Sequence, residues 1–425
     1  MFYSRCTQTD VQEKALVSGV SKMGQDQSFS REARAGYKPE VNHKSVFLAA
    51  GGGGAGGQNY LQDIALSGVG EIRIVDHDYF EEHNRTRSPL YPLDNMAAIG
   101  KAGKASLVAE KLRPLMTAPK SVLRYAEKPI QALADGAFVG VDVVVSCVDN
   151  PRGRAWLADK SRLHGLPLIE AGFDGPELTL SCFPAPENPK EARHAPCWRC
   201  AHPEVEGAFS CRLFALQAEA EGIIPAIQNG AAAIAAFQAE AAIMAVHGEM
   251  PLINRRMILN LRTGRSRVFE LTTDPQCPGI HRMLTDMPEA LGASGETTLG
   301  ELFREINERL GRPATIVLPE PLVWKAPCTT CGTMLNVGEP AWGWVMNPHC
   351  CNCGGSYSTL DGVDHQGSPT VYAEVDTDTG GEVLAIQCKQ AGLPALALIE
   401  TVDSNGTMLF FQLGGSLDDL FITLS

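Results

Sequence analysis

The apolar positions of this chain fall into two alternating patterns. Short apolar runs at Val46 to Ala50, 71–75, 121–125, 142–147, 166–170, 177–183 and 257–261 read as strands, and 266–271 as a further one. Between them, 57–67, 104–114, 152–164 and 230–247 carry apolar residues at helical spacing. Strands that alternate with helices predict a parallel, doubly wound α/β sheet, because each parallel crossover needs a helix-length connection. Strands 177–183 and 257–261 are expected to extend the sheet in antiparallel fashion. Residues 1–44 are polar and dotted with Gly and Ser, and read as a partly ordered N-terminal extension. The α/β domain then covers 45–283. Within it, 184–229 is polar and proline-rich, and loops this long are usually functional or mobile. A connecting segment, 284–325, holds one amphipathic helix, Leu299–Leu310. A cysteine module occupies 326–356. The rest, 357–425, reads as a small α+β tail, with strands 369–375 and 406–413 around a helix-like 382–391.

The first strand, helix and second strand carry the most informative pattern. Val46 to Ala50 ends in Gly51-Gly52-Gly53-Gly54-Ala55-Gly56. Gly51, Gly53 and Gly56 fit G-x-G-x-x-G: a tight turn, a close backbone approach to phosphate, and helix-on-strand packing. The next helix N-terminus then offers unpaired N–H groups to an anion. Asp76 ends the second apolar run and stands where a carboxylate binds ribose hydroxyls. Most such turns hold NAD or FAD. The residues beyond Asp76 shift the reading: Asp76-His77-Asp78, then Asn84-Arg85-Thr86-Arg87, then Lys104 opening a helix, then Asp149-Asn150 after an apolar strand, with Arg154 beyond. Hydride transfer has no use for these groups. Activation of a carboxylate by ATP needs cations at the triphosphate and an acid for magnesium.

In this order the motifs resemble the ThiF/MoeB/ubiquitin-activating-enzyme superfamily, over roughly half the chain to about residue 250. The resemblance implies a Rossmann-like adenylation domain that binds ATP and Mg²⁺ and adenylates the C-terminal glycine of a ubiquitin-like or sulfur-carrier protein. Carried over by position, Gly51, Gly53, Gly54 and Gly56 cradle phosphate, Asp76 holds the ribose with Asp78 beside it, and Asn84 and Arg87 contact the β- and γ-phosphates. Lys104 takes the place of the family lysine, although Gly100-Lys101-Ala102-Gly103-Lys104 is one residue longer than the usual spacing and leaves Lys101 as the fallback. Asp149 approaches magnesium next to Asn150, and Arg154 positions that loop. Arg31 and Arg34 are the candidate arginines for reaching across a dimer, since members usually work as homodimers. An incoming carboxylate is already ionised, so the task is charge dispersal on the leaving group, which cations and a metal perform.

Composition restricts the alternatives. The net charge of −13 argues against broad nucleic-acid binding. The start, MFYSRCTQTD, is too polar for a signal peptide, and Gln238 and Glu240 interrupt the most apolar long stretch, so the reading is a cytoplasmic protein with no membrane span. The thirteen cysteines, several in C-x-x-C pairs, suggest metal or redox chemistry. Cys328-x-x-Cys331 and Cys350-x-x-Cys353 have zinc-ribbon spacing, with Cys351 and His349 as spare ligands. Cys197-x-x-Cys200 and Cys277 supply three thiols of a second site. The family resemblance implies two C-x-x-C pairs there, but position 280 is isoleucine, which makes His281 the nearest fourth ligand. Cys211, upstream of Gly222-Ile-Ile-Pro225, matches the loop cysteine that accepts the activated carbonyl in some members. Cys147 and Cys182 read as inert core thiols.

These residues support three readings. The first is an activating enzyme of a ubiquitin-like conjugation pathway, with a thioester through Cys211 and a possible conjugating-enzyme partner. The second is an adenylyltransferase for a sulfur carrier in thiamine- or molybdopterin-type synthesis. The third, from another class, is an NAD-binding Rossmann oxidoreductase with an appended ribbon. A degenerate nucleotide-binding scaffold is a fourth, disfavoured by the intact cationic set.

Overall fold

The computed structural model describes residues 28–91, 99–202, 227–344, 349–358, 360 and 368–424. Eight of the nine strands of the first sheet are, in chain order, β1 (Val46–Ala50), β2 (Glu71–Val75), β3 (Val122–Ala126), β4 (Val143–Ser146), β5 (Leu168–Asp174), β6 (Glu177–Phe183), β7 (Arg255–Asn260) and β8 (Arg265–Glu270). Its helices are α1 (Ala55–Leu66), α2 (Lys104–Leu112), α3 (Pro151–Leu163) and α4 (Gln228–Val246). The spatial order across these strands is β3-β2-β1-β4-β5-β6-β7-β8. β1 to β5 are parallel, and β6, β7 and β8 continue as antiparallel meanders.

The central strands are buried on both faces, which is why they read as unbroken apolar runs. Phe47 and Ala49 point to one side, among Tyr60, Leu61, Ile64, Val108 and Ile234 from α1, α2 and α4. Leu48 and Ala50 point to the other, among Val144, Trp156 and Leu157. α4 has the length and hydropathy of a membrane span. Its small residues Ala235, Ala239, Ala241 and Ala242 instead enter the core beside α1 and β5. The strand order reverses between β1 and β4, so their C-terminal ends open a crevice, the usual ligand site of such sheets.

A second sheet comes next, of β9 (Glu289–Ser294), β10 (Ala314–Pro327), β11 (Met334–Pro340), β12 (Thr370–Val375), β13 (Leu398–Asp403) and β14 (Met408–Gly414), with α5 (Leu299–Leu310) laid on it. Its order is β11-β10-β13-β14-β9, and β12 also pairs with β10. α5 runs over the residues its amphipathic pattern predicts. Thr298 and Glu301 cap its start reciprocally, and Gly311 at φ 64° ends it. Leu299, Leu302 and Ile306 meet Ile316, Ile399 and Phe411. Residues of the segments 284–325, 326–356 and 357–425 therefore share one sheet, and β10 runs across the first of these boundaries.

Several strands of this sheet differ from the sequence expectation. β10 contains Pro319, Pro321 and Pro327, which read as breakers. Pro319 and Pro321 are accommodated because the ladder to β12 skips from Val317 to Leu322, and Pro327 is the last residue of the strand. The helix-like 382–391 is helical only over Gly381–Leu384; Cys388, Ala391 and Leu393 are buried by successive turns instead. The last strand, β15 (Ile422–Leu424), leaves the second sheet and pairs antiparallel with β3 of the first. Arg124 bonds Asp418 and Thr423 at 2.6 Å each, and Leu420 and Phe421 enter the core below β4.

Candidate nucleotide site

The turn after β1 is held from three sides. Gly51 has φ 73°, and a Cβ there would lie 2.7 Å from the Cys147 carbonyl, so the turns after β1 and β4 touch. The Gly53 N–H donates to Asp76 Oδ2 at 2.9 Å, and its carbonyl accepts from Gln58 Nε2 at 2.8 Å and Tyr91 Oη at 2.9 Å. A Cβ on Gly53 would sit 2.4 Å from that of Lys104, which places the lysine directly against the turn. Gly54 is the extended N-cap of α1, with no side chain to cap the first-turn N–H groups. The spacing assigns helix-on-strand packing to Gly56. That contact falls on Gly57, where a Cβ would lie 2.6 Å from the Gly52 carbonyl oxygen; at Gly56 it would meet only Phe173 at 3.6 Å. α1 begins at Ala55, and this phase turns Gly57 inward.

Asp76 is buried at the end of β2. Burial pushes its carboxyl up to about 6, against the pull of Lys104 and with the push of Asp78. Its Oδ1 accepts the Asp78 N–H at 3.0 Å. Lys104, the first residue of α2, donates its N–H to the Asp78 carbonyl at 2.8 Å and its ammonium to Asp78 Oδ2 at 2.7 Å. Lys101 is exposed in the preceding turn. The expected phosphate contacts Asn84 and Arg87 lie on a short helix, Glu82–Arg87. Asn84 accepts the Glu81 N–H at 2.9 Å, and Arg87 donates to the His83 carbonyl at 2.7 Å, so both serve their own turn in this structure. His77 and His83 are exposed.

The loop after β4 brings Asp149 to the same crevice, exposed. Asn150 caps α3, accepting the Gly153 N–H at 2.7 Å. Arg154 donates to the Val148 carbonyl at 2.9 Å and pairs with buried Glu170, which pins the loop from inside. Burial raises the Cys147 thiol to about 12, which excludes a thiolate nucleophile there at neutral pH. Cys211 lies outside the described residues. Sequence reasoning passed over Gln58, Tyr91, Gly57 and Glu170. Glu170 left a signal, a single acid within an apolar strand. Tyr91 left none.

Two tetrads of metal-ligand side chains are assembled. In Cys197, Cys200, Cys277 and His281 the sulfurs of Cys197 lie 3.7 Å from Cys200 and 3.6 Å from Cys277, and Cys200 lies 3.4 Å from His281 Nε2. In the ribbon, Cys328 lies 3.5 Å from Cys353 and Cys331 lies 3.7 Å from Cys350. Tetrahedral zinc with Zn–S bonds of ~2.3 Å spaces its sulfurs by nearly this amount, so both donor sets fit the ion. α3 carries the braces of the first tetrad. Asp159 accepts from Arg199 at 3.0 Å and from the Ile280 N–H at 2.9 Å, and buried Arg162 donates to the Pro196 carbonyl at 2.6 Å.

Residues 38–279 match the ThiF family. The adenylyltransferase and sulfurtransferase uba4 of Aspergillus fumigatus (strain CBS 144.89 / FGSC A1163 / CEA10) is 33% identical over 168 residues, 39% of this chain and 32% of that protein. The adenylyltransferase and sulfurtransferase MOCS3 of Arabidopsis thaliana is 26% identical over 228 residues, 54% of this chain and 45% of that protein. The chain thus spans less than half the length of either relative. Among solved structures, E. coli MccB with MccA-N7isoASN shares the fold at a TM-score of 0.50 and 16% identity, over 62% of this chain and 77% of that one.

Proposed function

The chain belongs to the ThiF family, and on that premise we propose that it is an ATP-dependent adenylyltransferase acting on the C-terminal carboxylate of a small sulfur-carrier-type protein. One observation carries the reading: Lys104 and Asp76 stand together against the glycine turn, at the point where the sheet reverses order. An oxygen of the incoming carboxylate attacks the α-phosphorus, the bond to the bridging oxygen breaks, and pyrophosphate leaves. Lys104 supplies a cation to the departing charge. Asp76 receives ribose hydroxyls, and Asp149 holds magnesium, which adds positive charge at the phosphates. The oxidoreductase alternative gives these cations no task.

The first sequence reading, ubiquitin-like conjugation through a thioester on Cys211, is displaced as the leading one. The relatives are named adenylyltransferase and sulfurtransferase, which supports the sulfur-carrier reading more closely. The decisive assay is ATP–pyrophosphate exchange stimulated by a small carrier ending in glycine, followed by mass spectrometry of the carrier. Exchange with an adenylated carrier, converted to thiocarboxylate with release of AMP when a sulfide donor is added, is the expected outcome. A carrier-linked thioester on Cys211 restores the conjugation reading, and no exchange with any glycine-terminated carrier overturns both.

A further inference from the structure

The two metal-ligand tetrads differ in how far they are open to water. In the ribbon, Cys331 and Cys353 are exposed while Cys328 and Cys350 are buried, and all four sulfurs lie within 4.8 Å of one another. Each exposed sulfur stands against a buried one of the opposite knuckle, Cys353 at 3.5 Å from Cys328 and Cys331 at 3.7 Å from Cys350. Backbone bonds tie the knuckles independently of a metal. The Thr329 N–H donates to the Ser356 carbonyl at 2.9 Å, and the Ser358 N–H to the Pro327 carbonyl at 2.8 Å. The other tetrad is closed. Cys197 is 2% exposed, Cys200 and Cys277 are half-buried, and a Cβ on Gly279 would lie 3.1 Å from the Cys197 sulfur. With His281 as its fourth member it holds three thiols, which close one disulfide and leave one thiol over. The four thiols of the ribbon close two disulfides and leave none.

A cysteine bound to zinc is a thiolate at neutral pH, the form that oxidants attack. Susceptibility then follows access. We propose that the ribbon is an oxidation site, at which a peroxide converts the tetrad to the disulfides Cys328–Cys353 and Cys331–Cys350 and the zinc ion leaves. The exposed thiolate attacks one peroxide oxygen, the O–O bond breaks and hydroxide departs, leaving a sulfenic acid. The buried partner attacks that sulfur, the S–OH bond breaks and a second hydroxide departs. Two protons turn the hydroxides into water, so each pair of thiolates gives two electrons to one peroxide. The S–S contact shortens to ~2.05 Å. Disulfide sulfurs carry no charge, so the ion loses its anionic ligands. Cys351, exposed next to Cys350, takes no part. Cys147 is spared, because it is buried and its thiol is pushed up to about 12. The site rests on zinc in the ribbon and not on the adenylation chemistry.

The test adds hydrogen peroxide stepwise to the reduced, zinc-loaded full chain. A chromogenic chelator reports free zinc, and peptide mapping reports the bridges. The expected result is loss of one of two zinc ions, together with the two cross-knuckle disulfides, before the second ion leaves. Cys350→Ser, which keeps only the ion of the other tetrad, releases none at the same dose. Cys331→Ser serves the same purpose should that variant melt below the assay temperature, and the wild-type bridge map stands without either. Cys351→Ser loses the ribbon ion at the wild-type dose. A dithiol reductant with added zinc restores both ions. Release of zinc first from the closed tetrad, release of both ions together, or bridges that join other cysteines overturns the proposal. Protection in Cys351→Ser moves the attack to that thiol and overturns it as well. A reduced chain with no ribbon zinc overturns the ribbon metal site and this proposal together, and leaves the adenylation reading standing.

Discussion

Removing the Lys104 ammonium changes two charges at once. Among the described residues Lys104 is the cation set against the glycine turn, and on the proposed reading its loss strips positive charge from the departing pyrophosphate. Loss of one such preorganised group costs about 10²–10³ in rate, or about 2.7–4 kcal/mol. The second effect falls on Asp76. Burial holds this carboxyl up at about 6, with Lys104 the main opposing pull and Asp78 pushing it further up. In Lys104→Ala the pull is gone and Asp78, 2.7 Å from the ammonium in the intact protein, loses that partner. The Asp76 carboxyl therefore moves further up. The sign comes from the chemistry. Ribose hydroxyls are held best by the ionised carboxylate, which exists only above its pKa. Exchange falls as pH drops through about 6 in the intact protein, and the acid limb moves upward in Lys104→Ala. Adding Asp78→Asn to Lys104→Ala returns the limb toward its original place without restoring the rate. The assay is carrier-stimulated ATP–pyrophosphate exchange from pH 5 to 9, with calorimetric ATP binding at each pH. Full exchange in Lys104→Ala refutes the role of the cation. A slowed enzyme with an unmoved acid limb refutes the coupling to Asp76.

Two further outcomes test the structural claims. Zinc analysis of the purified chain is expected to find two ions, one per tetrad, and Cys350→Ser to find one, with early melting of the ribbon region in hydrogen exchange; an unchanged content removes the ribbon metal site. Gly57→Ala drives a methyl into the Gly52 carbonyl and costs about 1–3 kcal/mol of stability, whereas Gly56→Ala is neutral or stabilising by up to ~1 kcal/mol through helix propensity. Chemical denaturation of both variants checks this, and equal losses return the packing role to the spacing-derived glycine.

The first sheet was legible because its physics is local. Strands covered on both faces must be apolar throughout, and the helices between them must carry an apolar stripe, so β1 to β7 and α1 to α4 fall within a few residues of their expected places. Glycine at a turn that touches another turn, and cysteines at ligand spacing, are short-range demands as well, written within a few positions of one another. The second sheet was not legible in the same way. β10 survives Pro319 and Pro321 only because its ladder lapses where they stand, and β15 is a strand only because β3 offers an edge some three hundred residues earlier in the chain. Tertiary structure also decided which groups hold each other: Lys104 with Asp78, Arg154 with Glu170, Arg152 with Glu320. Residue type and spacing specify what chemistry a side chain has to offer. Partner, burial and the resulting charge state come from chain segments that only folding brings within a few ångströms.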